Sequence, residues 1–202
     1  MKNDITNVLI VGVGGQGVLL ASEVLSETAM LAGLDVKKSE VHGMSQRGGV
    51  VTSHVKFGTK VYSPIIPYGQ SDIIVSFEQA EALRSIEWLK KDGLIATSQT
   101  RLVPPIASSG GQFEYPDDPI AELKSKVSRV VALDADKIAI ELGNPRLVNI
   151  LLLGVISGDL GFDKSIWDEA IKTRVKAKFV DINLKAFAKG QELAKESKIV
   201  SA

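Results

Sequence analysis

The sequence predicts an α/β domain with a Rossmann-like first β-α-β unit, a mixed, mostly parallel sheet and a helical C-terminal third. Three observations carry that prediction. An apolar run from Val8 to Val11 leads through Gly12-Val13-Gly14-Gly15-Gln16-Gly17 into a segment of helical periodicity, which is the strand, glycine turn and helix of a phosphate-binding unit. Two alternating stretches, 50–57 and 60–63, flank Gly58-Thr59 and read as a β-hairpin, an element foreign to a purely parallel sheet. From residue 135 onward the apolar spacing is helical.

In chain order, residues 7–13 form the first strand and 18–32 the first helix. Val18, Ala21, Leu25, Ala29 and Ala32 give that helix a face of mostly small residues suited to packing on a sheet. Gly33 closes it as a C-cap residue would. A strand at 34–41 is expected beside the first, after a right-handed crossover. The polar, glycine-punctuated stretch 42–49 has no apolar period and precedes the hairpin, after which Pro64 and Pro67 break the chain. Residues 72–77 read as a buried strand, 78–91 as a helix closed by Asp92-Gly93, and 94–98 as another strand. The stretch 100–119 holds four prolines and two adjacent glycines and is irregular. Helix 119–126 and strand 129–134 follow, then helix 135–142, which ends at the Gly143-Asn144-Pro145-Arg146 break. Segment 147–160 is apolar nearly all round, so it is a helix buried inside the domain or covered by a partner. Segments 163–176 and 183–197 are amphipathic helices. With no repeat, low-complexity tract or second domain in view, residues 1–202 read as one domain.

Composition narrows the function. Lys plus Arg and Asp plus Glu are 24 each, so the formal net charge is zero. This argues against nucleic acid and anionic membranes as partners. A neutral surface also suits burial in an assembly. The chain has no cysteine, which excludes disulfides, thiolate zinc sites and cysteine-ligated iron–sulfur clusters within it. Met1-Lys2-Asn3-Asp4 reads directly into a strand with no charged-then-apolar leader, and the most apolar run, 147–156, is too short for a bilayer. A cytoplasmic protein is the expectation.

Two loops concentrate the candidate chemistry. In the first, Gly12, Gly14, Gly15, Gln16 and Gly17 match a dinucleotide fingerprint, with Glu40 near the position of the acidic residue that holds ribose hydroxyls. The same glycines serve equally for helix–sheet packing or for an anion at the helix start. In the second, Glu40, His42, Ser45, Gln46, Arg47, Gly48 and Gly49 gather donors and acceptors at a strand's carboxyl end, where open α/β sheets place their ligands. Arg47 suits bidentate capture of a phosphate or carboxylate. The competing structural reading makes this a solvated turn with Arg47 paired to Glu40. His42 and His54 lack metal spacing, and His54 reads as a satisfied sheet residue. No Walker lysine follows the glycine loop, and no Gly-x-Ser-x-Gly elbow occurs.

Taken together, Val11-Gly12-Val13-Gly14-Gly15-Gln16-Gly17 and Ser39-Glu40-Val41-His42-Gly43-Met44-Ser45-Gln46-Arg47-Gly48-Gly49 closely resemble the gamma-type subunit of 2-oxoacid:ferredoxin oxidoreductases. The second motif is most similar to the beta-subunit class of the indolepyruvate enzymes. Further matches run along the chain: Ser63-Pro64 before Gly69, Asn149 with Leu153-Gly154, and Asn183 with Ala186-Phe187 and Gly190. The resemblance implies a three-layer α/β/α domain. It also implies a complex that converts a 2-oxoacid, coenzyme A and oxidised ferredoxin to an acyl-CoA, carbon dioxide and reduced ferredoxin. No cofactor is then bound by this chain alone; thiamine diphosphate and iron–sulfur clusters belong to larger partner subunits. The 40–49 loop is expected at the substrate or coenzyme A side of the joint site, with His42 assisting proton transfer and no residue of this chain catalytic by itself. A homodimer of the isolated chain is a further allowed assembly. Two readings compete: a free-standing NAD- or FAD-binding oxidoreductase using the glycine loop and Glu40, and a non-catalytic scaffold subunit.

Overall fold

A computed structural model describes residues 5–43, 49–103 and 115–200, with side chains through residue 196. Six strands build one sheet: β1 (Thr6–Val13), β2 (Asp35–His42), β3 (Val50–Gly58), β4 (Ser71–Ser76), β5 (Leu89–Ser98) and β6 (Arg129–Leu133). Their order is β2-β3-β1-β4-β5-β6. β1, β4, β5 and β6 pair in parallel, while β3 runs antiparallel to both β1 and β2. The sheet is therefore mixed and mostly parallel, as the sequence predicts.

The pleat sorts side chains into two cores. Val8 and Ile10 of β1, Ile73 and Val75 of β4, and Leu94 and Ala96 of β5 face one side. Leu9 and Val11, Ile74, and Ile95 face the other. The second side is covered by α2 (Gln79–Arg84) and α3 (Pro119–Lys126), through Ala82 and Leu123. The first is covered by α1 (Val18–Leu31), α4 (Ala135–Glu141), α5 (Val148–Leu160), α6 (Lys164–Arg174) and α7 (Val180–Val200). Three layers result. The apolar helix α5 is buried within this chain, between the sheet and α7, so its cover is internal. Trp167 packs beside it, its ring centroid 5.1 Å from Phe187 and 6.1 Å from Phe162.

Three expectations are corrected. The strand expected beside β1 is instead at the sheet edge, because β3 inserts between them. The reason is burial: β3 carries the apolar residues Val51, Val55 and Phe57, whereas β2 reads DVKKSEVH. The more apolar strand takes the interior position and the lysine-bearing one the edge, where charge also blocks further pairing. The hairpin accordingly joins β2 to β3, and residues 60–63 are not a strand. Asp35 accounts for that: its carboxylate accepts from the Val61 backbone N–H at 2.9 Å and meets Lys37 at 2.6 Å and Lys60 at 3.6 Å. Lys37 and the Val61 N–H hold its pKa down at about 2. Finally, the helix expected over 78–91 ends at Arg84 and gives way to a 3₁₀ turn (Ile86–Trp88). Leu89 already pairs with Ser71 in the ladder, and a bulge in that pairing, where Asp92 adopts φ 63°, carries β5 through Asp92-Gly93.

His54 on β3 is buried, and its Nδ1 accepts from the Ile66 N–H at 3.2 Å. Burial, and then the charge of Lys56, push the imidazole below its ordinary pKa of 6.5. The unfolded chain therefore binds the proton more readily, and the stability held by neutral His54 is complete above the ordinary value and lost as pH falls below it. Denaturant midpoints should fall from about pH 7 to about pH 5, with a shallower fall in His54→Gln. Equal slopes would remove His54 from the account.

Candidate functional site

The carboxyl ends of β1, β2, β4, β5 and β6 lie along one edge, so the loops that follow them form a continuous rim. At its centre is the glycine turn between β1 and α1. Gln16 fills the turn from inside: its Oε1 accepts from the Val13 N–H at 2.7 Å, and its Nε2 donates to the Phe77 carbonyl at 2.9 Å. The side chain thereby ties β1 to the end of β4. A Cβ on Gly12 would sit 3.0 to 3.2 Å from Gln16, Val18 and Phe77, so this end of the turn serves packing. At the other end Gly17 caps α1 in the left-handed region, φ 87°, and among the described residues no side chain caps the helix. Asn149 at the start of α5 closes over it, donating from Nδ2 to the Gly17 carbonyl at 3.4 Å.

The two loops singled out in the sequence meet. The Gly14 N–H donates to the Gly49 carbonyl at 3.0 Å, and the Gly43 N–H to the Val50 carbonyl at 2.7 Å. These bonds fix the stem of the second loop against the first. Ser45, Gln46, Arg47 and Gly48 lie outside the described residues. Glu40 sits on the edge strand, where its Oε1 accepts from Lys38 Nζ at 2.8 Å and from Ser22 Oγ of α1 at 3.4 Å. Its Oε2 is 3.8 Å from His42 Nε2, and His42 is exposed. Glu40 is thus tied to the strand and helix around it, and His42 is open to a ligand or partner.

Several rim residues escaped the sequence reading. An open cleft of about 330 Å³ lies outside the glycine turn, lined by Gly15, Gly17, Leu20, Asp136, Arg146 and Asn149. Among the described residues the Arg146 side chain has no ion-pair partner. Its only signal in the sequence was the break Gly143-Asn144-Pro145-Arg146. Asp136 reaches the cleft from α4 and accepts from Thr100 Oγ1 at 2.5 Å. Glu78, just after β4, is 1% exposed. One oxygen caps α2 by accepting from the Glu81 N–H at 2.9 Å, and the other accepts from the Leu102 N–H at 3.2 Å and from the Tyr115 hydroxyl. A single buried carboxylate so anchors both flanks of the β5–α3 connection. Burial, reinforced by the Glu78 hydrogen bond, pushes the Tyr115 phenol up. Burial likewise raises the neighbouring Glu81, opposed by Arg84.

Backbone N–H groups at the start of α1, the Arg146 guanidinium and the exposed His42 imidazole suit an anionic ligand. Among the described residues no group of three or more His, Cys, Asp or Glu could hold a metal ion. With no cysteine in the sequence, the residues do not fit an iron–sulfur cluster. No described helix is long and apolar enough to cross a membrane.

Comparison with known proteins adds an independent line. The family model for pyruvate ferredoxin/flavodoxin oxidoreductase matches residues 7–193. The indolepyruvate oxidoreductase subunit IorB of Pyrococcus horikoshii is 44% identical over 197 residues, covering 94% of this chain and 96% of that one. The ketoisovalerate oxidoreductase subunit VorA of Methanothermobacter thermautotrophicus is 30% identical over 195 residues, 94% of this chain but 36% of VorA. Among solved structures, the keto/oxoacid ferredoxin oxidoreductase gamma subunit of Geobacter sulfurreducens has the same fold. It superposes with a TM-score of 0.70 at 24% identity, covering 95% of this chain and 99% of that one.

Proposed function

This chain belongs to the pyruvate ferredoxin/flavodoxin oxidoreductase family, and from that premise we propose that it is the gamma-type subunit of a cytoplasmic 2-oxoacid:ferredoxin oxidoreductase acting on an aryl pyruvate such as indolepyruvate. Residues 1–202 act as one domain in that complex. The observation that carries the reading is the 44% identity to an indolepyruvate oxidoreductase subunit across nearly the whole of both chains. The complex oxidatively decarboxylates the 2-oxoacid with coenzyme A and passes the electrons to ferredoxin.

Thiamine diphosphate, which supplies the carbon chemistry, and the iron–sulfur clusters sit in larger partner subunits. The match to about a third of VorA supports a division of labour in which a domain of this kind works beside a larger one. This chain contributes assembly and the substrate or coenzyme A side of the site. Arg47, with Ser45, Gln46, Gly48 and Gly49, contacts a phosphate or carboxylate, and His42 assists a proton transfer. Glu40 holds the strand from which that loop departs. The glycine turn supplies packing and an anion contact at the start of α1.

The test is a complex reconstituted with Arg47→Ala. Loss of one charged contact to the substrate should lower kcat/KM for the 2-oxoacid or coenzyme A by roughly tenfold to a hundredfold while assembly persists. Unchanged assembly, Michaelis constants and turnover would refute the assignment. Loss of co-purification before any kinetic change would give the loop a scaffold role instead.

A further inference from the structure

Three consecutive residues beyond the end of β5 turn outward on the rim: Arg101, Leu102 and Val103, the last two 43% and 42% exposed. The chain on which they sit is held from several sides. The Gln79 N–H donates to the Thr100 carbonyl at 3.1 Å, and the Thr100 hydroxyl donates to Asp136 at 2.5 Å. One oxygen of the buried Glu78 carboxylate accepts from the Leu102 N–H at 3.2 Å and from the Tyr115 hydroxyl. The Arg101 guanidinium carbon lies 4.5 Å from the centroid of the Tyr115 ring. Glu78 thus sets the ring, and the ring sets the cation. Among the described residues Arg101 has no ion-pair partner. Three carboxylates of the same rim are hydrogen-bonded within the chain: Glu40 by Lys38, Asp136 by Thr100, and Glu78 by the Glu81 and Leu102 backbone and Tyr115. The charge of Arg101 is left for something outside the chain.

We propose that the Arg101–Val103 strip, braced by Tyr115, docks the larger partner subunit, on a surface that seats Leu102 and Val103 in an apolar hollow and meets Arg101 with a carboxylate. Two observations select a protein surface over a small anion. A free anion would engage Arg101 and leave Leu102 and Val103 in water, whereas a protein surface covers all three. An arginine stacked on a tyrosine beside aliphatic side chains is also the composition that dominates protein interfaces. Charge complementarity sets the chemistry of the partner, since an unpaired guanidinium is matched by a carboxylate. The bracing matters because a strip already fixed in place loses little conformational freedom on binding. The inference rests on the reading of this chain as one subunit of a larger enzyme. It adds the part of the rim by which the chain is gripped.

The affinity of the full chain for the proposed larger, thiamine-dependent partner subunit tests it. Arg101→Gln should weaken the complex about tenfold, and Leu102→Ser with Val103→Ser about tenfold to a hundredfold, with thermal unfolding of the chain unchanged. Added salt should weaken the unsubstituted complex more than the Arg101→Gln complex. Tyr115→Leu should weaken it as Arg101→Gln does, and combining the two should add little, because the ring acts through the cation. Asp117, exposed on the same connection, is the control: Asp117→Asn should not weaken the complex. A complex indifferent to Arg101→Gln and to the Leu102 and Val103 pair would overturn the inference and leave the subunit reading standing. Unchanged affinity with a raised KM for the 2-oxoacid in Arg101→Gln would also overturn it, making Arg101 a small-anion contact. No complex with the unsubstituted chain would overturn the subunit reading and this inference together.

Discussion

Gly154→Ala should destabilise the protein by about 3 kcal/mol or more. At Gly154, on α5, a Cβ would lie 2.2 Å from the Phe187 carbonyl oxygen of α7, and at Gly190 a Cβ would lie 2.0 Å from the Leu151 carbonyl oxygen. Both obstacles are backbone, so no side-chain rotation relieves them. The helices would have to separate, opening the core around Phe187 and Trp167 that seals the sheet. Gly158 on the same helix is the control, with nothing within 4 Å of its would-be Cβ. Gly158→Ala should be neutral or stabilising by up to about 1 kcal/mol. Urea denaturation measures both. Equal effects at 154 and 158 would mean that α5 and α7 do not cross as described.

The second large effect is expected at the glycine turn. Gly17 combines a left-handed backbone, φ 87°, with a Cβ position 2.4 Å from Asn149 Nδ2. Gly17→Ala should cost roughly 1–2 kcal/mol for the backbone, plus about 1 kcal/mol or more for the collision. Pairing it with Asn149→Ala separates the two, because the double variant removes the collision and keeps the strain. A double-mutant cycle should show coupling of about 1 kcal/mol. Strict additivity would mean that Asn149 does not close the turn, and the packing role given to the glycines would fail.

Much of the fold is legible because burial is written locally. β1, β4 and β6 are short apolar runs, α5 is apolar all round, and α3 matches its expected bounds because Asp118 caps it and Pro119 opens it. The strand order is not legible in this way. β2 and β3 both alternate, and neither pattern names a neighbour; only the difference in their polarity decides which goes inside. The stretch 60–63 has strand periodicity, but Asp35, far back in the chain, takes its backbone N–H. The helix expected to run to residue 91 loses its last turn to a ladder with Ser71, a partner that helical spacing cannot reveal.

The site divides similarly. Gly12 to Gly17 and the 40–49 loop are visible as local motifs, and the Gly14–Gly49 bond confirms that they adjoin. Arg146 and Asn149 are invisible as site residues because they arrive from another element; Asn149 and Gly17 are 132 positions apart. Glu78 reads as the first residue of a helix, and only the fold shows its carboxylate holding Leu102 and Tyr115 as well. Gln16, a variable position in the glycine pattern, becomes the side chain that joins β1 to β4.

The central claim is that this chain works as one subunit of a 2-oxoacid oxidoreductase. Its most direct measurement is indolepyruvate- and coenzyme A-dependent ferredoxin reduction by the proposed larger, thiamine-dependent partner subunit with and without this chain. The expected result is inactivity of the chain alone, a stable complex on mixing, and turnover that requires both. Tight binding of NAD(H) or FAD by the isolated chain, with no complex formed and no indolepyruvate-dependent turnover on mixing, would contradict it.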